Sequence, residues 1–384
     1  MRLRLDRDAF ADAVAWTARA LPARPSVPVL AGMRMEAAED TGSLHLSGFD
    51  YEVSTRASVR AETAEGGSAL VPGRLMAEIV RNLPEGAVDI ESRGSRILIT
   101  GGTARFTLIT MPLEDYPSLP GMPPRIGAVP ARALTQAVRQ VTPAASRDDT
   151  LPVLTGAYLD FTGDSLRVVA TDRYRIAVRE LWWLPADTGI DVAALVPART
   201  LSDTVRGLVT GENVDIALST VTVGEGVSLS PGEGMIGFES GQRRTTTRLI
   251  DSDFIKYRSW FPADFSARAH VTVAPLLEAV KRVALVADRA TPLRLAFSEG
   301  EVVLEAGSGA DAQAVEAIEV EYEGDPLRLA FRPDYLMDGL AGVETERARL
   351  NFTEPTKPAV FTDLSEEEGQ EPAFRYLVQP LRVS

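Results

Sequence analysis

The sequence predicts an α+β protein made of three tandem copies of one domain, because one strand pattern and one helix pattern each occur three times. The clearest strand pattern is Leu151–Glu180, in which apolar and polar residues alternate over three runs. Gly163-Asp164 and Thr171-Asp172 supply turn residues between the runs, so this stretch is predicted to be a three-stranded antiparallel meander. Related runs at Pro28–Arg56 and Pro292–Val320 predict the same meander in two further copies.

Two helices accompany each predicted meander, one before it and one after it. Residues recur at helical spacing on one face of each first-helix segment. The segments are Asp8–Leu21 with Phe10, Ala13, Val14, Thr17 and Leu21, Pro130–Val141 with Leu134, Ala137, Val138 and Val141, and Pro275–Val286 with Leu276, Leu277, Val280, Val283 and Ala284. The second-helix segments have proline near the first turn and begin at Val71, Val196 and Phe331. A hairpin is predicted after each second helix, over Val88–Thr110, Val214–Leu249 and Ala348–Val383. Each copy is therefore predicted to combine antiparallel strands with two helices.

Matching turns mark the ends of the first two copies. They read Asp115–Pro120 and Lys256–Pro262, and they place domain boundaries near residues 125 and 263. The predicted domains are 1–125, 126–263 and 264–384, each of ordinary domain size. Similar domains that repeat one contact form a crescent, and two crescents joined head to tail would close a ring of six domains.

Composition excludes several classes of site. The 384 residues include no cysteine and two histidines, so disulfides, zinc-thiolate sites and cysteine nucleophiles are excluded, and a histidine metal site is disfavoured. His45 and His270 are predicted to be structural or solvent-facing. With no phosphate-binding glycine loop either, an enzyme is the weakest hypothesis, and we expect no cofactor. Without a signal-peptide pattern or a long apolar run, we expect a cytoplasmic protein.

The predicted helices are more basic than the rest of the chain. The whole chain has a net charge of −14, whereas segment 130–147 carries three arginines and no acid. Two interpretations stay open at this point. The charges are ordinary surface charges, or they form a weakly basic lining that tolerates a phosphate backbone without holding it tightly.

Four stretches carry a resemblance to a known family. They are Arg24–Leu30, Asp148–Gly156, Ala170–Arg175 and Tyr376–Arg382. In this order and on three internal repeats, they resemble the bacterial DNA polymerase III beta subunit, the sliding clamp, in its actinobacterial form. The resemblance implies a homodimeric ring around double-stranded DNA, with helices lining the hole, sheets outside and no catalytic site. It also implies that the alpha-type polymerase subunit and the clamp loader bind through short linear peptides.

The resemblance implies three sets of site residues. For DNA, family position indicates Arg24 and Arg147, and the helix charges add Arg74, Arg199, Lys281 and Arg282. For the dimer interface, it indicates Phe106, Leu108 and Leu285. The matching positions of the peptide pocket are Leu154, Thr155, Thr171, Arg173, Tyr174, Arg175, Ile176, Tyr335, Leu377, Pro380, Leu381 and Arg382.

The sequence departs from the family pattern at positions that fall on or beside this pocket. These are Ile255 in place of proline, Trp260 in place of a smaller aliphatic residue, Arg332 in place of asparagine, Gln379 in place of methionine and Ala290 in place of a larger residue. Ser259 is grouped with them in the pocket. The departures are either neutral drift or the mark of a specialised paralogue whose pocket resists a clamp-directed inhibitor such as a cyclic peptide.

Overall fold

The computed structural model describes residues 1–22, 24–208, 211–223, 226–229, 234–287, 292–307, 312–364 and 372–382. The α-helices in these ranges are α1 (Arg7–Thr17), α2 (Gly73–Arg81), α3 (Ala131–Val141), α4 (Pro152–Thr155), α5 (Ala198–Val205), α6 (Val273–Val283) and α7 (Pro333–Gly342). Within the same ranges, no helix has the length and apolar character that crossing a membrane requires.

The strands follow the three predicted repeats. Those of the first repeat are β1 (Arg2–Asp6), β2 (Gly32–Ala38), β3 (Ser43–Phe49), β4 (Val53–Arg60), β5 (Glu62–Glu65), β6 (Gly67–Pro72), β7 (Ala87–Arg93), β8 (Arg96–Gly101) and β9 (Ala104–Ile109). Those of the second repeat are β10 (Arg125–Pro130), β11 (Gly156–Thr162), β12 (Ser165–Thr171), β13 (Arg175–Trp182), β14 (Leu184–Pro185), β15 (Asp191–Pro197), β16 (Asn213–Leu218), β17 (Thr220–Val223), β18 (Gly226–Leu229), β19 (Met235–Ser240) and β20 (Arg243–Arg248). Those of the third repeat are β21 (Ala267–Thr272), β22 (Leu293–Ser298), β23 (Glu301–Ala306), β24 (Ala314–Glu319), β25 (Glu321–Glu323), β26 (Leu327–Phe331), β27 (Arg347–Phe352), β28 (Ala359–Asp363) and β29 (Phe374–Val378).

The predicted meander is present in all three repeats. In the second repeat, Val169 of β12 pairs with Tyr158 of β11 and with Val178 of β13, both antiparallel. The corresponding strands are β2, β3 and β4 in the first repeat and β22, β23 and β24 in the third. Alternation explains the register, because a shift by one residue would turn the buried side chains out to solvent.

The first helix shows where sequence periodicity and structure differ. Asp6 caps α1, since its Oδ1 accepts hydrogen bonds from the amides of Asp8 (3.0 Å) and Ala9 (2.9 Å). The helix ends at Thr17 and a 3-10 turn follows. Leu21 is buried as predicted, but it lies after the end of the helix and not on it. Trp16, which the predicted apolar face did not include, is buried as well.

The third-repeat helix is also shorter than its pattern predicts. α6 ends at Val283, and a 3-10 turn covers Ala284–Val286. Leu276 and Val280 are buried as predicted, whereas Leu285 on the turn is 84% exposed. A large apolar side chain is thus left in solvent at the end of this helix.

The chain forms two compact units, and the second repeat contributes to both. Unit 1 contains residues 1–132, 184–188 and 203–249. Unit 2 contains residues 133–183, 189–202 and 250–384, as far as they are described. The predicted domain boundaries near 125 and 263 therefore stay predictions.

Each unit is built on a nine-stranded sheet that two repeats share. In unit 1 its order is β14-β10-β16-β19-β20-β4-β3-β2-β6, and the repeats meet where Thr245 of β20 pairs with Thr55 of β4. In unit 2 its order is β15-β11-β12-β13-β29-β28-β27-β21-β25, and they meet where Tyr376 of β29 pairs with Ala177 of β13. A five-stranded sheet, β5-β1-β7-β8-β9, completes unit 1 with the β17–β18 hairpin, and a four-stranded sheet, β24-β23-β22-β26, completes unit 2.

Candidate peptide-binding site

The turn between β12 and β13 in unit 2 separates exposed side chains from a buried one. Asp172 holds the turn, because its Oδ1 accepts hydrogen bonds from the amides of Tyr174 (3.0 Å) and Arg175 (3.1 Å). Arg173 adopts a left-handed conformation with φ of 80°. The result is that Arg173 and Tyr174 face solvent, whereas Arg175 is buried.

Arg175 is the centre of a polar network. Its Nε donates to Asp172 (3.0 Å), its Nη1 to Asp338 (2.6 Å) and its Nη2 to the carbonyl of Pro143 (2.5 Å). The guanidinium also lies 4.2 Å from the ring centre of Tyr335. A buried charge is tolerated only when it is paired and hydrogen-bonded, and this network meets that condition.

The network fixes the protonation states around it. Burial opposes the charge on Arg175, but its interactions with Tyr376 and with Asp338 and Asp172 outweigh that effect and raise its pKa. Burial raises the pKa of Tyr335 to about 12 and that of Tyr376 further. Both tyrosines are therefore neutral donors at neutral pH, and the Tyr376 hydroxyl donates to the carbonyl of Tyr335 (2.9 Å).

Arg332 lies over the same tyrosine ring from the exposed side of the site. Its guanidinium is 4.6 Å from the centre of the Tyr335 ring. Nε and Nη2 also donate to the two carboxylate oxygens of Asp334, at 3.1 and 2.8 Å. The side chain is 54% exposed. The charge expected at the pocket rim is thus present as an ion pair whose net charge is close to zero.

The C-terminal segment runs beside the β12–β13 turn. The amide of Gln379 donates to the carbonyl of Tyr174 (2.8 Å), and the amide of Leu381 donates to the carbonyl of Ala330 (2.7 Å). The side-chain amide of Gln379 donates to the carbonyl of Thr356 (2.9 Å). Gln379 therefore anchors this segment, while Leu381 remains 39% exposed.

An apolar cluster underlies the site. Its buried residues are Val169, Ile176, Val178, Tyr257, Val360 and Leu377, with Ile255 among the partly buried residues packed against them. Trp260 lies on the same 3-10 turn as Tyr257 and is 45% exposed. This placement gives the site a buried floor and an exposed tryptophan three residues after Tyr257, which is part of that floor.

The predicted pocket residues fall into three groups by burial. The exposed ones are Arg173, Tyr174, Ser259, Trp260, Arg332, Leu381 and Arg382. The half-buried ones are Thr155, Ile255 and Gln379. The buried ones are Leu154, Thr171, Arg175, Ile176, Tyr335, Leu377 and Pro380. Thr171 and Ile176 have no exposed surface, so they support the site from below, and Ala290 lies outside the described residues.

Sequence reasoning missed the partners of Arg175. Asp338 lies on α7, Tyr376 on β29, and Pro143 on the 3-10 turn after α3. A buried guanidinium requires carboxylate and carbonyl partners, but the alternation along this strand gives no sign that Arg175 is buried. The sequence therefore carried no signal for these partners.

The residues predicted to contact DNA differ in their surroundings. Arg24, Arg147 and Arg199 are exposed and have no hydrogen bond or ion pair with any described residue. Arg74, by contrast, donates to the carbonyl of Leu21 (3.0 Å).

Lys281 and Arg282 on α6 are both in ion pairs. Lys281 pairs with Glu278 at 2.8 Å, and Arg282 pairs with Glu316 through two hydrogen bonds of 3.0 and 2.5 Å. The charges of these two predicted contacts are therefore offset within the chain.

One predicted interface residue needs correction. Leu108 is 3% exposed and packs in the core of the first repeat, which leaves it almost no surface for a partner. Its neighbour Ile109 is 70% exposed, Phe106 is 36% exposed and Leu285 is 84% exposed. Phe106, Leu108 and Ile109 lie on β9, which is an edge strand of the five-stranded sheet. Ile109, the last residue of β9, is exposed to solvent, whereas Leu108 is buried in the core.

Family comparison covers all three repeats. Residues 1–120, 128–256 and 258–375 match the models of the N-terminal, central and C-terminal domains of the DNA polymerase III beta subunit. The chain is 50% identical to the beta sliding clamp of Streptomyces coelicolor, over 100% of both proteins. It is 39% identical to the beta sliding clamp homolog GriR of Streptomyces muensis, over 100% of this chain and 99% of that protein.

Solved structures agree with the fold. The Pseudomonas aeruginosa sliding clamp bound to griselimycin superposes with a TM-score of 0.87 at 25% identity, covering 100% of both chains. The Bacillus subtilis clamp gives a TM-score of 0.87 at 24% identity and the same coverage. The predicted family and the predicted fold of three tandem domains are confirmed. The chain belongs to the DNA polymerase III beta subunit family, the bacterial beta sliding clamps.

Proposed function

We propose that two copies of this chain close a ring around double-stranded DNA and tether the replicative polymerase to it. The observation that carries the proposal is the 50% identity to a sliding clamp over the whole chain, with all three domain models matched in order. The tether raises the effective concentration of polymerase at the primer end, so it acts by topology and needs no catalytic site. We place this activity in the cytoplasm and assign the three domains to 1–125, 126–263 and 264–384.

Two unpaired sheet edges support the ring. β9 is the last strand of the five-stranded sheet and β24 the last strand of the four-stranded sheet. Exposed strand edges need a partner or a protecting device. Ile109 at the end of β9 is 70% exposed, Val315 on β24 is 66% exposed, and Leu285 is 84% exposed. We infer that β9 of one protomer lies beside β24 of its partner, with Arg105 and Glu319 as charges of opposite sign on the two strands.

The peptide site supports binding of short linear segments from the alpha-type polymerase subunit and the clamp loader. Tyr174, Trp260 and Leu381 give exposed apolar surface in unit 2. Arg173 and Arg382 are exposed cations of the same predicted pocket. A peptide with apolar anchors and acidic or polar flanks fits this combination, because apolar contacts supply affinity and the charges select the flanks.

Retention on closed and open DNA tests the ring. Protein loaded onto a nicked circular plasmid should stay bound through gel filtration and should be lost after the circle is cut once. Retention on the circle should depend weakly on salt, since enclosure requires few simultaneous phosphate contacts. A second nick in the circle serves as the control, because it leaves the topology closed. Equal retention on circular and cut DNA would contradict enclosure.

A specialised clamp that resists a pocket-directed inhibitor is the second candidate. The favouring observations are the half-exposed Trp260, the anchored Gln379 and the Arg332–Asp334 ion pair over Tyr335. A rigid ligand that fills the pocket could not repack around these groups, whereas a flexible partner peptide could shift. The chain is 50% identical to the Streptomyces coelicolor clamp and 39% identical to the clamp homolog GriR. These identities do not separate an ordinary clamp from a specialised one, and calorimetry with an inhibitor would.

Reverting two pocket positions tests this candidate. The wild-type chain should bind a polymerase-derived peptide within about tenfold of an ordinary clamp, roughly 1.4 kcal/mol, and should bind griselimycin considerably more weakly than an ordinary clamp does. Trp260→Leu combined with Gln379→Met should recover griselimycin affinity in isothermal titration calorimetry. Trp182→Leu is a matched control, since Trp182 is 55% exposed and lies outside the predicted pocket. No recovery in the double variant would mean that the departures are drift.

A further inference from the structure

The exposed cations on the helices of unit 2 differ between the second and third repeats. In the second repeat, Arg139 on α3, Arg147 beyond it and Arg199 on α5 are exposed, and none has a hydrogen bond or ion pair with a described residue. Asp148, next to Arg147, directs its carboxylate to Thr150 instead, accepting from its amide (3.0 Å) and its hydroxyl (2.7 Å). These three arginines therefore carry uncompensated charge.

A side-chain contact brings two of these arginines into one neighbourhood. The hydroxyl of Ser202 on α5 donates to the hydroxyl of Thr142, directly after α3, at 3.0 Å. Arg199 and Arg139 each precede these contact residues by three positions, which is about one helical turn along the same face. No acidic residue occurs between positions 130 and 147 to offset the charge from within that segment.

The third repeat has the opposite character. The α6 cations are held by carboxylates, Lys281 by Glu278 at 2.8 Å and Arg282 by Glu316 at 2.5 Å. Helix α7 contains two aspartates and no cation. Its Asp334 occupies the position in the repeat that Arg199 occupies at the start of α5. The helices of this repeat therefore present little or no net positive charge.

We propose that, within unit 2, the phosphate backbone of double-stranded DNA contacts Arg139, Arg147 and Arg199 of the second repeat and bypasses the third-repeat helices. The inference rests on the proposed function and deepens it. It adds Arg139 to the predicted contacts and removes Lys281 and Arg282. Affinity for DNA comes from the release of counterions by uncompensated cations. A cation in an ion pair must first lose its carboxylate, so it adds little.

Two double variants of equal charge test the proposal. Arg139→Ala with Arg199→Ala and Lys281→Ala with Arg282→Ala each remove two exposed cations, so the change in net charge is the same. Binding of a 30-base-pair duplex would be followed by fluorescence anisotropy as a function of sodium chloride concentration. The first variant should make the slope of log K against log salt shallower by about 1.8. Between 50 and 200 mM salt, its affinity should therefore fall about twelvefold less than that of the wild type.

The matched variant decides the outcome. Lys281→Ala with Arg282→Ala should leave the wild-type slope unchanged. An equal reduction of the slope in both variants, or no reduction in the first, would overturn the proposal. Retention of the wild type on a nicked circle separates this result from the proposed function. If the protein leaves the circle while the two slopes still differ, enclosure fails and the arginine contacts stand.

Discussion

Replacing Ile109 and Leu285 with alanine in one chain is expected to turn the dimer into monomers at micromolar concentration. Both side chains are largely exposed in the single chain, at 70% and 84%, and would be buried against a partner. Loss of a large buried aliphatic side chain costs at least about 2 kcal/mol. A head-to-tail ring of two chains contains each contact twice, so the two substitutions together cost about 8 kcal/mol. That corresponds to a roughly 10⁶-fold weaker dimer.

Sedimentation velocity would measure this change. Leu75→Ala with Leu184→Ala is the matched control, because these leucines are 46% and 43% exposed and lie on neither β9 nor β24. The control should remain a dimer. Leu108→Ala should instead lower the free energy of unfolding, since Leu108 packs in the core of its own repeat. A dimer that survives the Ile109 and Leu285 substitutions would contradict the proposed pairing of β9 with β24.

Replacing Arg175 with methionine is expected to lower the free energy of unfolding of unit 2 by about 3 kcal/mol, the lower end of the range for breaking a buried ion pair. Methionine fills much of the volume but leaves Oδ2 of Asp172 and the carbonyl of Pro143 without their guanidinium donor. Asp172 is mostly buried, whereas Asp338 can turn toward water. Urea unfolding followed by tryptophan fluorescence would measure the loss.

Arg332→Met is the control for this effect. Arg332 lies over the same Tyr335 ring but is 54% exposed, and its ion pair with Asp334 is at the surface. Exposed ion pairs contribute up to about 1 kcal/mol, so this variant should unfold close to the wild type. Equal destabilisation by Arg175→Met and Arg332→Met would show that ring stacking, and not the buried ion pairs, stabilises this part of unit 2.

Local pattern was sufficient for the repeat and for its elements. The alternation in Leu151–Glu180 predicted strands β11, β12 and β13, because side chains on a strand reach the core at every second position. Helical spacing placed Leu134 and Val138 in the core, and both are fully buried. The predicted C-terminal ends of α1 and α6 were less accurate, because both helices end earlier than the apolar spacing indicates. Each first helix of these two repeats finishes in a 3-10 turn, which continues the apolar spacing without being α-helix.

The sequence by itself thus determined the three repeats and their order, whereas the burial of Arg175 is known only from the structure. Only the tertiary structure decided which residues compensate the charges, because the partners are distant in the chain. Asp338 is 163 residues from Arg175, and Glu316 is 34 residues from Arg282. It also decided that neighbouring repeats share one nine-stranded sheet, since pairing of β4 with β20 and of β13 with β29 depends on edges that no local pattern specifies. Periodicity reports which face of an element is buried, and the identity of what covers that face comes from long-range packing.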